Sequence, residues 1–115
     1  MNPVDFFKCL ADNTRLQSLL LIEREGELCV CELTMALNLS QPKISRHLAQ
    51  LKKNNILLDR RQGQWVFYRI NPELAHWAQS VLAQTLAANQ TLLAKNLKQL
   101  YNMGDRPERS SVFCS

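Results

Sequence analysis

The chain has 115 residues, enough for one domain with its own core and too few for a second. Apolar residues make up 46% and charged residues 21%, so disorder of the whole chain is excluded. The net charge of +4 is concentrated between Lys43 and Arg69, where Asp59 is the only carboxylate. No stretch has the length of a signal peptide's apolar region or of a membrane span, so we expect a cytoplasmic protein with reduced cysteines and no membrane partner.

The first part of the chain predicts helices. A short helix fits Val4 to Leu10. A second helix, capped by Asp12 or Asn13, ends before Gly26, a residue suited to a helix C-terminus. A brief strand fits Glu27 to Val30.

Two short helices with a tight turn between them follow. The third helix should begin near Cys31. The fourth is capped by Ser40 or Gln41, because Pro42 falls in its first turn, where a missing N–H costs little. Apolar residues of the fourth helix lie at i, i+4 and i+7 and should face inward: Ile44, Leu48 and Leu51. The pair predicts a helix-turn-helix whose second helix presents polar side chains outward.

The next segment, LLDRRQGQWVFYRI, predicts a β-hairpin around Gln62 and Gly63. A hairpin in this place is a wing, a DNA-contacting addition to the helix-turn-helix. Polar residues near its tip suit phosphates or the minor groove: Arg60, Arg61, Gln62 and Gln64.

A single long helix is predicted from Pro72 to about Tyr101. At 1.5 Å per residue it would be about 40 Å long, more than one small domain covers, so we expect a homodimer through this helix and the first one. Asn89 and Asn96 interrupt its apolar stripe and would fix the register. The expected fold class is mainly α (α+β), a winged helix-turn-helix with a two-stranded wing and a long C-terminal dimerisation helix. Residues 1–103 would form the domain and residues 104–115 a flexible tail.

Double-stranded DNA is the expected partner. The N-terminal half of the fourth helix should enter the major groove, and a two-fold dimer should bind an inverted repeat. Forked side chains suit base edges, whereas a lysine suits a phosphate. The candidate contacts on this helix are Ser40, Gln41, Lys43, Ser45, Arg46 and His47.

A family resemblance rests on the segments FFKCLADNTRL, ELCVCEL and SQPKISRHLAQLKKNNILLDRRQGQWVFYRI. Together they resemble the ArsR/SmtB family of winged-helix repressors, and closely its arsenical-responsive branch. The resemblance implies a homodimer that represses an arsenic-resistance operon and releases the operator when As(III) or Sb(III) binds. It implies no other cofactor.

Cys29 and Cys31 are the candidate inducer ligands. Trivalent arsenic prefers thiolates, and a helix N-terminus stabilises the thiolate of Cys31. Residues i and i+2 point about 200° apart in an ideal helix but share a face in an extended segment. One ion bound by both thiols should therefore favour an extended or unwound start of the third helix. The third helix supports the fourth, which is the recognition helix, the one expected to enter the major groove.

The third thiolate of a trigonal As(III) site is open. The arsenical branch commonly has a cysteine three residues after the second, where this chain has Thr34. Cys114, Cys9 or a small cellular thiol could take the place.

Other functions remain as alternatives. A Zn(II), Cd(II) or Pb(II) sensor would need four ligands, and His47 and His76 complete no convincing set. A redox switch would link Cys29 or Cys31 to Cys9 or Cys114 by oxidation and so alter the affinity for DNA. A thiol enzyme such as a small arsenate reductase lacks an anion-binding loop and a base beside the thiols, so we expect no enzyme. A DNA-packaging role fits poorly with the forked polar groups on the fourth helix.

Overall fold

The computed structural model describes residues 1–104. The helices are α1 (Pro3–Leu10), α2 (Asn13–Glu25), α3 (Val30–Leu37), α4 (Gln41–Lys53), α5 (His76–Ala88) and α6 (Ala94–Tyr101), with a 3₁₀ turn at Gln90–Leu93. The strands are β1 (Leu28–Cys29), β2 (Leu57–Gln62) and β3 (Trp65–Ile70). The predicted tail lies outside the described residues except for Gly104, and so does Cys114.

The predicted helix boundaries are confirmed for α2 and α4. Asp12 caps α2 by accepting the Arg15 N–H at 3.0 Å. Gly26 ends the same helix with a φ of 90°, which glycine adopts without steric cost. Ser40 caps α4, with Pro42 in the first turn. These signals are local, so they act the same way wherever the helices pack.

The core is built around α2. Four consecutive residues, Leu19 to Ile22, are fully buried, so this helix is covered on more than one side. Helix α3 packs on both α2 and α4. The turn between α3 and α4 begins at Asn38, which has a left-handed conformation (φ 55°, ψ 48°) that asparagine tolerates. The helix-turn-helix prediction is therefore confirmed.

The predicted wing hairpin is present, but its sheet has three strands. The strand order is β1-β3-β2, and both pairings are antiparallel. Gln62 pairs with Trp65, so the two loop residues are Gly63 and Gln64 rather than the predicted Gln62 and Gly63. Gly63 has a φ of 62°, as the first loop residue of a type II′ hairpin requires. The third strand, β1, brings Cys29 into the wing sheet.

The single C-terminal helix predicted from Pro72 to Tyr101 is wrong. The chain leaves α-helical geometry at Asn89 (φ −132°), whose side chain donates to the Thr85 carbonyl at 2.9 Å. Helix α6 then packs on α3 of its own chain, where the buried Asn96 donates from Nδ2 to the Ala36 carbonyl at 3.0 Å. Asn96 thus satisfies an intrachain carbonyl, and helix length no longer argues for a dimer.

Within residues 1–104, no helix combines the length and the apolar composition that crossing a bilayer requires.

Candidate DNA-binding surface and thiol pair

Helix α4 carries the predicted DNA contacts on its polar face. Ser40, which precedes the helix, is exposed, and its hydroxyl accepts the Lys43 N–H at 3.4 Å, so it serves as the helix cap. The others are exposed or half-buried: Gln41, Lys43, Ser45, Arg46 and His47. All of these residues therefore reach solvent around the N-terminal half of α4.

Arg15 of α2 connects this recognition helix to the end of α1. Its Nε donates to the Cys9 carbonyl at 2.7 Å and its Nη2 to the Lys8 carbonyl at 3.2 Å. Nη1 lies 3.3 Å from His47 Nδ1 and 3.4 Å from Gln50 Oε1. Sequence reasoning missed Arg15. A cation in the first turn opposes the helix dipole, and that conflict is the signal that could have indicated partners outside its own helix.

The surroundings of His47 favour its neutral form. Burial lowers the pKa of His47 most, and the cations Arg15, Arg46 and Lys43 lower it further, while the Asp12 carboxylate opposes them. Because a guanidinium can only donate, the contact with Arg15 requires Nδ1 of His47 to be an acceptor. The ring proton of neutral His47 is then on Nε2.

The wing residues divide into two groups. Arg61 and Gln64 are exposed near the tip, as predicted. Arg60 instead forms a two-bond ion pair with Glu27, from Nε to Oε2 and from Nη2 to Oε1, both at 2.7 Å. The Nη1 of Arg60 donates to Gln62 Oε1 at 2.9 Å. The side chains of Arg60 and Gln62 are thus directed to protein partners in this structure.

The recognition helix and the wing are joined by a second ion pair. Lys52, in the last turn of α4, lies with its Nζ 3.0 Å from Oδ2 of Asp59 in β2. Both residues are well placed to fix the angle between α4 and the hairpin. The sequence pattern gave no indication of this pair, because its members belong to separate elements.

Cys29 and Cys31 bring their sulfur atoms together at the start of α3. Cys29 is buried, has an extended backbone (φ −87°, ψ 164°) and is the N-terminal cap residue, whereas Cys31 is half-buried in the first turn. Their Sγ atoms lie 2.8 Å apart. Cys29 is therefore extended and Cys31 helical, and their sulfur atoms lie close together without unwinding of the helix at Cys31.

Glu32 and Thr34 stabilise the helical turn around the thiol pair. The fully buried Glu32 accepts the Cys29 N–H at its Oε1 at 2.8 Å, as the third helical residue does in a capping box. Thr34, which stands in the place of the expected third cysteine, donates its hydroxyl to the Cys31 carbonyl at 2.7 Å. Glu32 is a second residue that the sequence reasoning passed over.

The third thiol is not gathered at this site within residues 1–104. Cys9 is buried in the apolar core, and burial raises the pKa of its thiol, although nearby Arg15 opposes the shift. In that part of the chain, no three side chains of His, Cys, Asp or Glu are grouped as a metal site. Cys114 lies outside the described residues.

The sequence profile of the arsR family of bacterial regulatory proteins matches residues 12–57. The arsenic resistance transcriptional regulator ArsR2 of Pseudomonas putida is 60% identical over 114 residues, which cover 99% of each chain. The chain belongs to the arsR family. The arsenical resistance operon repressor of Escherichia coli is also similar, with 46% identity over 98% of this chain and 96% of the relative.

Solved structures agree with the arsR-family fold. HlyU from Vibrio cholerae has a TM-score of 0.69 and 30% identity, covering 76% of this chain and 91% of that one. The antimony-specific transcriptional repressor AntR has a TM-score of 0.61 and 30% identity, covering 84% and 80%. The predicted winged-helix class is thereby confirmed.

The arsR-family match covers the thiol pair and the recognition helix. Its range runs from the cap of α2 to the first residue of β2. Glu27 and Arg15 fall inside it, whereas Arg60 and the wing tip fall beyond it. The family is one of transcriptional regulators, which supports the expectation that the chain is not an enzyme.

Proposed function

We propose that the chain is an As(III)- and Sb(III)-responsive repressor that binds operator DNA as a homodimer and dissociates when the metalloid binds Cys29 and Cys31. The observation that carries the proposal is the 2.8 Å separation of the two sulfur atoms at the start of α3. Helix α3 packs against the recognition helix, so a ligand at its first turn acts on the helix that contacts DNA. Similar proteins of Pseudomonas putida and Escherichia coli are named as arsenic or arsenical resistance regulators.

In the protein with Cys29 and Cys31 reduced, the binding step is a ligand exchange without oxidation. Arsenous acid, As(OH)₃, reacts with the two thiols to form two As–S bonds, and two As–O bonds break. Each thiol proton leaves with a hydroxide as water, so two waters are released. A third thiol would replace the remaining hydroxide in the same way. The soft thiolates account for a preference for As(III) and Sb(III) over harder ions.

Release of DNA follows from a difference in affinity between two states. One ion bound to both sulfurs must set their separation by its own bond lengths, which shifts the extended Cys29 relative to the helical Cys31. The turn held by Glu32 then rearranges, and α3 changes its packing on α4. Linkage requires DNA to weaken metalloid binding by the same factor by which the metalloid weakens DNA binding.

Cys114 is our first choice for the third thiolate, before a small cellular thiol. Cys9 is disfavoured by its burial in the core and by its raised pKa. X-ray absorption on the As(III) complex should count three sulfur ligands in the wild type and two in Cys114→Ser. Cys9→Ala is the matched control and should keep the count of three. A loss of one sulfur in Cys9→Ala would reverse the assignment.

A homodimer through α1 and the start of α5 accounts for an exposed apolar surface. Phe7 and Trp77 are 50% and 39% exposed, and their ring centroids lie 6.1 Å apart. Both rings contact the buried Phe6 edge to face. Large exposed aromatic groups of this kind mark interaction sites. A two-fold dimer would place two α4 helices on an inverted repeat.

The remaining assignments follow from the same function. Residues 1–103 would act as one DNA-binding and dimerisation domain, with residues 104–115 as a tail that supplies Cys114. A repressor of this kind acts in the cytoplasm. The DNA contacts we propose are those on the α4 surface together with Arg61, Gln62 and Gln64 of the wing. Arg60 was predicted with them, and its role is treated separately below.

The function is tested by fluorescence anisotropy of a labelled DNA duplex selected by the wild type from a random library. Arsenite should release the duplex from the wild type and from the control Cys9→Ala. It should leave Cys29→Ser and Cys31→Ser bound. Release that survives in either serine variant would overturn the proposal.

Two further arms separate the rival functions. Release by Zn(II), Cd(II) or Pb(II) at concentrations below those effective for arsenite would indicate a divalent-ion sensor. Mass spectrometry after peroxide treatment distinguishes a redox switch, because a disulfide lowers the mass by two hydrogens and metalloid binding leaves no disulfide.

A further inference from the structure

Cys29 belongs to a row of side chains that crosses the wing sheet. It pairs with Phe67 of β3, and Phe67 pairs in turn with Arg60 of β2. Directly paired residues of antiparallel strands have side chains on the same face. The guanidinium carbon of Arg60 lies 4.7 Å from the centre of the Phe67 ring, a cation–π distance. The inducer thiol and the wing thus share one face of one sheet.

An ion pair between Glu27 and Arg60 adds a direct side-chain contact between the segment before β1 and strand β2. Glu27 precedes Cys29 by two residues and accepts two hydrogen bonds of 2.7 Å from Arg60. A two-bond contact between a guanidinium and a carboxylate fixes orientation as well as distance. The chain on both sides of Leu28 is therefore held to the hairpin, by backbone pairing at Cys29 and by side chains at Glu27.

We propose that Glu27 and Arg60 are positioning residues that couple the Cys29/Cys31 site to the wing. This inference rests on the proposed function and adds a second route to the DNA, beside the packing of α3 on α4. A metalloid that shifts Cys29 displaces Glu27, two residues earlier in the chain, and the ion pair transmits the displacement to β2. From β2 the Lys52–Asp59 pair reaches the last turn of α4.

The alternative role for Arg60 is a direct phosphate contact. In this structure its Nε and Nη2 donate to Glu27 and its Nη1 donates to Gln62. Arg61 follows it in β2, points to the opposite face and is exposed. Arg61 is therefore the matched control, an arginine of the same strand that lacks the Glu27 contact.

An exposed ion pair adds little to folding stability, so variants of Glu27 and Arg60 should fold. The ion pair affects regulation only to the extent that its strength differs between the DNA-bound state and the metalloid-bound state. The measured quantity is the coupling factor, the dissociation constant for the selected duplex with arsenite divided by the constant without it.

The proteins compared are the wild type, Glu27→Gln, Arg60→Gln, the double variant and Arg61→Gln. Glu27→Gln and Arg60→Gln should each lower the coupling factor at least about threefold, and the double variant should lower it no further, since both remove one contact. Arg61→Gln should weaken DNA binding equally with and without arsenite, so its coupling factor stays at the wild-type value.

A second readout needs no DNA. With 5-fluorotryptophan in the chain, the fluorine resonance of Trp65, at the start of β3, should shift when arsenite is added. The shift should be smaller in Glu27→Gln. Assignment is made by comparison with Trp77→Phe.

Three other outcomes would each contradict the coupling, and one of them would also contradict the proposed function. An unchanged coupling factor and an unchanged Trp65 shift in Glu27→Gln would overturn the coupling alone. Weaker DNA binding by Arg60→Gln without arsenite, at a wild-type coupling factor, would make Arg60 a DNA contact and also overturn it. A wild-type coupling factor of 1 would overturn the proposed function and the coupling with it.

Discussion

Nη1 of Arg15 lies 3.3 Å from Nδ1 of His47, and this contact joins the helix before the helix-turn-helix to the recognition helix itself. The same guanidinium donates to the carbonyls of Lys8 and Cys9 at the end of α1. One side chain therefore fixes α1, α2 and α4 relative to one another. If α1 forms the dimer interface, as proposed, Arg15 also sets the position of each recognition helix relative to the two-fold axis.

Stability should fall as the pH is lowered through the titration of His47. Its folded-state pKa lies below the ordinary value of about 6.5, so the unfolded chain binds more protons in this range. The penalty is absent well above that ordinary value, grows as the pH falls through it and is complete below the folded-state pKa. In His47→Gln, urea unfolding at about pH 8 and about pH 5 should show a smaller loss of stability than in the wild type.

The titration of Asp12 does not interfere with this comparison between the wild type and His47→Gln. The Arg15 N–H lowers the pKa of Asp12, so its contribution to stability is present above its ordinary value of about 3.9 and is lost as the pH falls below it. That loss lies at lower pH than the His47 window. An equal loss of stability in the wild type and in His47→Gln would contradict the prediction.

Arg15→Met should destabilise the fold by about 2 kcal/mol, because it removes charged hydrogen bonds to two carbonyls and a contact with His47. The urea midpoint should fall without a change in the slope of the transition. Arg24→Met is the matched control: Arg24 is an exposed arginine of the same helix, whose contact with Glu25 is 3.7 Å long. Its loss should change stability by less than about 0.5 kcal/mol. Equal effects of the two substitutions would refute this role for Arg15.

Asn96→Ala distinguishes an intrachain role from a dimer register. The Asn96 side chain donates to the Ala36 carbonyl in a buried contact, so its removal should cost about 1 to 2 kcal/mol of stability. The dimer dissociation constant, measured by analytical ultracentrifugation, should stay unchanged. Asn89→Ala, at the exposed end of α5, is the control with a smaller cost. A larger dimer dissociation constant with an unchanged free energy of unfolding would instead place Asn96 in the dimer interface.

Substitutions on the α4 surface should separate base contacts from phosphate contacts. Arg46→Ala should cost about 1 to 3 kcal/mol and relax the preference at one base pair of the selected site. Lys43→Ala should weaken binding to all sequences alike and reduce the slope of log affinity against log salt by about 1. Titrations of the selected duplex and of single-base variants at several salt concentrations measure both. A uniform loss for Arg46→Ala would make it a phosphate contact.

Much of the architecture could be predicted because its signals are local. The caps Asp12 and Ser40 and the glycine at position 26 set helix ends through contacts within a few residues. The i, i+4, i+7 spacing in α4 fixed which face is buried before any partner was known. The thiol pair was found in the same way, since two residues apart in sequence cannot be far apart in space.

In the C-terminal region, local signals do not determine the number of helices. An apolar stripe that runs from Leu74 to Leu100 is compatible with one long helix or with two helices folded against the core. The choice depends on whether Leu93 and Leu100 are covered within their own chain. Helix α2 packs against the 3₁₀ turn that holds Leu93, and α3 packs against α6, which holds Leu100. No spacing within the stripe carries that information.

The sequence by itself determined the helix-turn-helix, the polar surface of α4 and the place of Cys29 and Cys31 at the start of a helix. Only the tertiary structure decided that Cys29 enters the wing sheet, that Arg60 pairs with Glu27 and that Arg15 reaches His47. Pairs such as Glu27 and Arg60 lie 33 residues apart along the chain. Their contact depends on how the sheet and helices pack, because short-range propensities fix each element but not which elements meet.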